Sequence, residues 1–324
     1  MNYDLPPPPP SAAVSNIADL SYRNYEGPLL SRVARWWTIA KSGIQGVMKK
    51  PGFWVAVAFC IMPYLGHGFA FYLQQQLASM GGPGAMLMGA QNEKFGQLFY
   101  TCLCGNTNEL SMFIIALMIG TGSIAADNRA NALMVYLSKP VTKGDYLLGK
   151  WVGIFLTLWL VALLPCLLLF LFCMVLYTGD GFLKENPTLI LRVLLSSFLP
   201  ALIHTSVLIG LSAWSKSPRL VGAIYAGVYF VGGVRSWLLG ISLYADQPTS
   251  NNLVQHFSLN GIMEGIIQNI LHVTLATGIT NQRRDDPTLA IPMVTPLVIA
   301  AIVLIIGGIL AARAKIKAVE VVRG

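Results

Sequence analysis

The sequence predicts an all-α, polytopic membrane protein, and three observations carry that expectation. Of the 324 residues, 55% are hydrophobic and 11% charged, against about 25% charged in an average soluble domain. Six apolar segments reach the length needed to cross a bilayer core of about 30 Å, where a helix rising about 1.5 Å per residue satisfies its own backbone. Lys and Arg residues collect in alternate connections between those segments, the asymmetry that orients membrane helices.

The elements follow in chain order. Residues 1–28 open on the tract Pro6 to Pro10; proline supplies no backbone donor and apolar content is low, so the segment reads as a disordered cytoplasmic tail. Over residues 29–50, Val33, Trp36, Trp37, Ile39, Ile44, Val47 and Met48 recur at near-helical spacing among Arg32, Arg35, Lys41, Lys49 and Lys50. A basic amphipathic helix with tryptophans settles in the headgroup plane, so an interfacial elbow helix is expected ahead of the membrane domain, 51–324.

Within that domain the six transmembrane helices are expected at 52–73, 110–126, 147–177, 189–214, 220–243 and 291–312. The third is long enough to tilt or to project beyond the bilayer. Residues 252–277 are apolar but interrupted by Asn260, Gly261, Glu264, Gly265, Gln268, Asn269 and His272. A complete crossing there would place the basic C-terminus outside. A re-entrant external pair of short helices is expected instead, because broken backbone at membrane depth is tolerated where it lines protein or water.

With the N-terminus inside, 16 of the 22 Lys and Arg residues fall on the inner side. Both termini are therefore expected in the cytoplasm, with the chain in the cell (inner or plasma) membrane. The same distribution accounts for the net charge of +8 as a topology determinant, and no nucleic-acid motif accompanies it.

Catalytic chemistry finds little footing. No G-x-x-x-x-G-K-[ST] occurs, so the chain has no phosphate cradle and is not expected to be an enzyme or to bind a cofactor. Gly120-Thr121-Gly122-Ser123 could present a serine to His204 or His272, but small residues in a membrane helix are the pattern of close helix packing. Met80, Met86 and Met88 could hold copper(I), yet no His or Cys flanks them to complete a site. The five cysteines show no zinc spacing.

The informative stretch is 124–150, IAADNRANALMVYLSKPVTKGDYLLGK. Ala132, Leu133, Tyr136 and Leu137 form one apolar face of a short helix facing the cytosol, which calls for a partner, and Pro140 ends that helix. The order Asp127, Leu137-Ser138, Pro140-Val141, Thr142-Lys143 and Leu148-Gly149-Lys150 resembles the signature of the ABC type-2 exporter permease family. Where that family often carries Glu and Gly-Thr, this chain has Asp127 and Asn131-Ala132. The resemblance implies a six-helix permease working as a homo- or heterodimer with a second permease subunit and with separate ABC ATPase subunits that bind the ATP. It also implies ATPase coupling through residues 127–145, with Asp127, Arg129, Leu133, Tyr136, Leu137 and Pro140 as the coupling residues, and a translocation pathway between two permeases.

Charged groups at membrane depth tend to face cavities or partners, which nominates Arg192, Arg235 and Glu264 for the outer half of that pathway. Two other classes fit the composition: a self-sufficient secondary transporter, and a membrane-embedded enzyme. A carrier coupled to protons or sodium would carry ionisable residues deep in its spans, and apart from Glu109 and Asp127 near span ends there are few.

Overall fold

A computed structural model describes residues 32–79, 91–132, 141–177, 182–244, 258–273 and 294–316. Among them every regular element is helical. The expected tail at 1–28, the methionines at 80–88 and the C-terminal residues from 317 lie outside the described residues.

The described residues open with α1 (Arg32–Met48), within the stretch where the amphipathic helix is expected. After a turn it enters α2 (Pro51–Ser79), and α3 (Gln91–Cys104) and α4 (Asn106–Gly120) follow. A short α5 (Ala125–Arg129) precedes the longest helix, α6 (Lys143–Leu176). Then come α7 (Phe182–Glu185), α8 (Leu189–Ala213), α9 (Pro218–Tyr244), α10 (Leu259–Leu271) and α11 (Val294–Lys315). Five segments are long and apolar enough to cross a membrane: 51–73, 107–129, 143–176, 189–213 and 294–315. The fifth expected segment, 220–243, lies within the 27-residue helix α9, which is not one of those five.

The second expected span differs from its prediction at the start. Helix runs back to Gln91, and α3 leads into α4 through Gly105, whose backbone is extended at φ −68° and ψ 140°. A Cβ there would stand 2.5 Å from the Thr101 carbonyl oxygen, so glycine permits the break. Asn108 donates to the Leu103 carbonyl at 2.8 Å and accepts from the Cys60 thiol at 2.9 Å. The groups freed by the interruption are thus taken up by a side chain, as backbone at membrane depth requires.

Packing marks the two ends of the bundle. At one end Phe71 of α2, Phe95 of α3, Tyr177 after α6 and Phe182 of α7 form a ring cluster, with Phe95 and Phe182 centroids 4.7 Å apart. At the other end α1 meets α6 and α8 meets α11, and the helix ends there carry Lys143, Lys216, Arg313 and Lys315. There Trp214 donates to the Ala311 carbonyl at 3.0 Å and Lys315 lies 4.8 Å above its ring. Helix α8 is central and carries the polar residues Ser196, Ser197, His204, Thr205, Ser206 and Ser212, all buried. His204 is bonded to the Tyr225 hydroxyl of α9, and the Ser123 hydroxyl donates to the Gly120 carbonyl; His204 is thus engaged away from Ser123.

Two contacts between helices depend on missing side chains. A Cβ on Gly308 of α11 would collide with the Ser206 carbonyl of α8, and one on Gly210 would meet Gly308 at 3.0 Å. A Cβ on Gly149 of α6 would lie 2.6 Å from the Trp36 carbonyl oxygen, and one on Gly153 would lie 3.1 Å from that of Ala40. Apolar burial gives no drive between helices in lipid, so backbone approach over small residues supplies packing instead. The outward faces of α2, α6 and α11 leave Phe59, Leu168 and Val303 each more than 60% exposed, a surface suited to acyl chains.

Candidate functional site

The signature segment sits at the basic end, and its helices are fastened from several sides. Helix α5 begins after Ile124, which has no side chain able to cap it. Its orphan donors are met from another helix: the buried Ser212 hydroxyl of α8 accepts from the Ile124 and Ala125 N–H groups at 3.1 and 3.0 Å. Ser212 donates in turn to the Thr121 carbonyl at 3.0 Å. Asn128 adds bonds from its amide to the carbonyls of Ala213 and Ser215, at 3.1 and 3.3 Å.

Asp127 ties the same short helix to α6. Its carboxylate accepts the Tyr146 hydroxyl at 2.6 Å and pairs with the Lys150 ammonium at 2.8 Å. Lys150 also stands 5.6 Å from the Tyr146 ring centre, so the cation faces both a carboxylate and a π-face. Helix α6 has its own start signal, a capping box in which Thr142 and Asp145 bond reciprocally to each other's backbone N–H at 3.1 Å.

Asn131 ends α5 with φ 51°. That left-handed conformation is cheapest for glycine, and asparagine is the next most tolerant residue. The exchange of glycine for asparagine noted in the sequence therefore keeps the helix stop. Arg129 is exposed; Leu133, Tyr136, Leu137 and Pro140 lie outside the described residues.

The expected pathway residues are separated. Arg192 is partly buried in the first turn of α8, and the side chain of Arg235 lies outside the described residues. Glu264 sits on α10, which is the one described helix of the expected re-entrant pair. Ser258 caps it by accepting from the Gly261 N–H at 2.9 Å, and His272 closes it at φ 53°. The capped start of α10 lies beside Gly232 of α9, while its far end meets Gly96 of α3 near the aromatic cluster. Asn260 of the same helix donates to the Glu109 carboxylate of α4 at 3.1 Å.

The sequence places Glu109 only near a span end; its position in the first turn of α4 after the Gly105 break brings it to Asn260 of α10. The sequence reading also missed the Gly149-x-x-x-Gly153 spacing, the small-xxx-small pattern that seats α1 on α6.

Comparison with known proteins gives one assignment. A family model described as ABC-2 family transporter protein matches residues 37–314. A search of the curated proteins finds no match.

Proposed function

The chain belongs to the ABC-2 transporter family, and from that premise we propose that it is the permease subunit of an ATP-driven exporter whose ATPase is a separate polypeptide. In this reading α9 makes the sixth crossing, both termini face the cytoplasm, and α1 lies in the inner interface. A second permease completes the pathway.

The observation that supports coupling at 127–145 is the clamp around α5. Ser212 and Asn128 fix it to α8, and Asp127 fixes it to α6 through Tyr146 and Lys150. The described residues on either side of 133–140 are therefore fixed to one corner of the bundle. A segment mounted so would pass a push from an ATPase to α6 and α8 rather than absorb it.

The test is recovery of the cognate ATPase with Leu133→Asp and Tyr136→Asp. A charge placed in a desolvated contact costs several kcal/mol, and each 1.4 kcal/mol weakens association about tenfold. Gly144→Asp, exposed in the first turn of α6, is the control that keeps its ATPase. Undiminished ATPase recovery and transport in both variants would remove the coupling role from this loop.

A self-sufficient secondary transporter is favoured by one observation, the partly buried Glu109 carboxylate of α4 bonded by Asn260 of α10. Transport driven by a proton gradient without any ATPase would establish that reading instead.

A further inference from the structure

We propose that the corner between α1 and α2 is a binding site for an anionic phospholipid, with the headgroup phosphate held by Lys49 and Lys50 and an acyl chain laid along the outer face of α2. The inference rests on the exporter reading only for placing α1 in the inner interface, and its test needs no ATPase.

Charge is the first observation. From Gly27 to Asn92 the sequence contains no Asp or Glu, so α1 and α2 carry cations with no acid of their own. Lys41, Lys49 and Lys50 are exposed, and none of them is paired with a carboxylate among the described residues. The described acids at this end of the bundle are engaged elsewhere, Asp127 with Tyr146 and Lys150 and Asp145 in the capping box of α6. Unmatched ammonium groups beside a membrane helix draw an anion from outside the chain, and the headgroups of anionic lipids supply one.

Two tryptophans frame those lysines. Trp54 donates from its Nε1 to the Met48 carbonyl at 2.8 Å, which satisfies an acceptor left over at the end of α1 and fixes the indole at the corner. Its ring meets the buried Phe53 edge-on, with centroids 5.4 Å apart, and still leaves half its surface exposed. Trp37 is exposed one turn before Lys41. Indoles with one apolar face and one polar edge sit at the boundary between headgroup and acyl chain.

An apolar lane starts directly after Trp54. Val55, Phe59, Met62 and Phe69 of α2 are all exposed, and their spacing puts them on one face of the helix. Gly66 continues the row with open space where a Cβ would stand. Headgroup and chain contacts thus lie end to end, as a phospholipid requires and a free anion does not. A zwitterionic lipid would turn a cation of its own toward the lysines. Helix α1 is pressed on α6 at Gly149 and Gly153, so a lipid held at its C-terminal end would brace the same corner that Lys150 and Asp127 close.

The test is native mass spectrometry of the full-length chain, with whatever subunits accompany it, after titration in detergent with phosphatidylglycerol or with phosphatidylcholine of the same acyl chains. Phosphatidylglycerol is expected to be retained at about tenfold lower concentration, a preference that shrinks as salt rises. Lys49→Gln combined with Lys50→Gln should bring the two lipids level. Lys216→Gln combined with Arg313→Gln removes the same charge from the α8–α9 connection and the end of α11, and should keep the preference. Inorganic phosphate at the same concentration should leave the lipid in place. Equal retention of the two lipids by the unmutated chain overturns the site, and that reading stands even if a variant fails to fold. A preference that survives in the Lys49 and Lys50 variant overturns it too, as does one lost equally in the control variant, since the attraction would then belong to the whole basic end. Displacement by inorganic phosphate would overturn the lipid as the occupant.

Discussion

Lys150, one turn beyond the capping box of α6, places its ammonium 2.8 Å from the carboxylate of Asp127 on α5. The pair joins the two helices that flank residues 133–140. Its neighbour in sequence, Gly149, is pressed against the α1 backbone. The Leu-Gly-Lys of the signature thus has a physical reading in this chain, with glycine admitting α1 and lysine holding α5.

The ion pair should show an unequal response to removal of each partner. The side chains are 19% and 18% exposed, placing the pair between surface pairs worth about 0–1 kcal/mol and buried ones costing about 3–5 kcal/mol to break. Lys150→Met leaves the Asp127 charge with the Tyr146 hydroxyl alone, whereas Asp127→Asn leaves a flexible lysine that can reach water. Lys150→Met should therefore cost more, on the order of 1–3 kcal/mol by interpolation between those limits. Thermal unfolding of the purified single and double variants checks this. Strictly additive losses would show that the two side chains do not interact.

Substitution of glycines should sort by what a methyl group meets. Gly149→Ala places a Cβ 2.6 Å from a backbone oxygen and 2.8 Å from the Ile39 Cβ, whereas Gly227 has nothing within 4 Å. The first should displace α1 and lower stability by about 1–3 kcal/mol. Gly227→Ala should be neutral or gain up to about 1 kcal/mol through helix propensity. Tryptophan fluorescence from Trp36 and Trp37, read beside melting temperature, separates displacement of α1 from general instability. Equal melting temperatures for the two variants would contradict the close contact.

Ser212→Ala removes the acceptor for two N–H groups at the start of α5 and the donor to Thr121. An unmet buried polar group costs about 1–3 kcal/mol. Exchange at the amides of Ile124 and Ala125 should accelerate while that in the middle of α8 stays slow. Unchanged exchange at both amides would mean that the start of α5 is held by something else.

Topology is open to direct labelling. A cysteine introduced at Ser138 should react only with reagent supplied from the cytoplasm, and one at Asn281 only with reagent supplied from outside. The native Cys60, Cys102, Cys166 and Cys173 are buried and Cys104 is partly so, which keeps background low. Labelling with the two sides reversed would invert the bundle.

The sequence by itself determined the helical class, the places of the membrane segments, the basic end and the signature. Each of these is written in local composition, in runs of apolar residues, their flanking charges and short ordered motifs. Only the tertiary structure decided which helices touch. In lipid, apolar side chains serve equally at buried and lipid-facing positions: Leu158 of α6 is fully buried and Leu164 of the same helix is 54% exposed. Periodicity therefore could not name a neighbour. The break at Gly105, the seat of α1 on Gly149 and Gly153, and the bond from Asn260 to Glu109 arise from backbone approach and from polar groups seeking partners across long stretches of chain. Such groups find their partners only once the bundle has assembled around them.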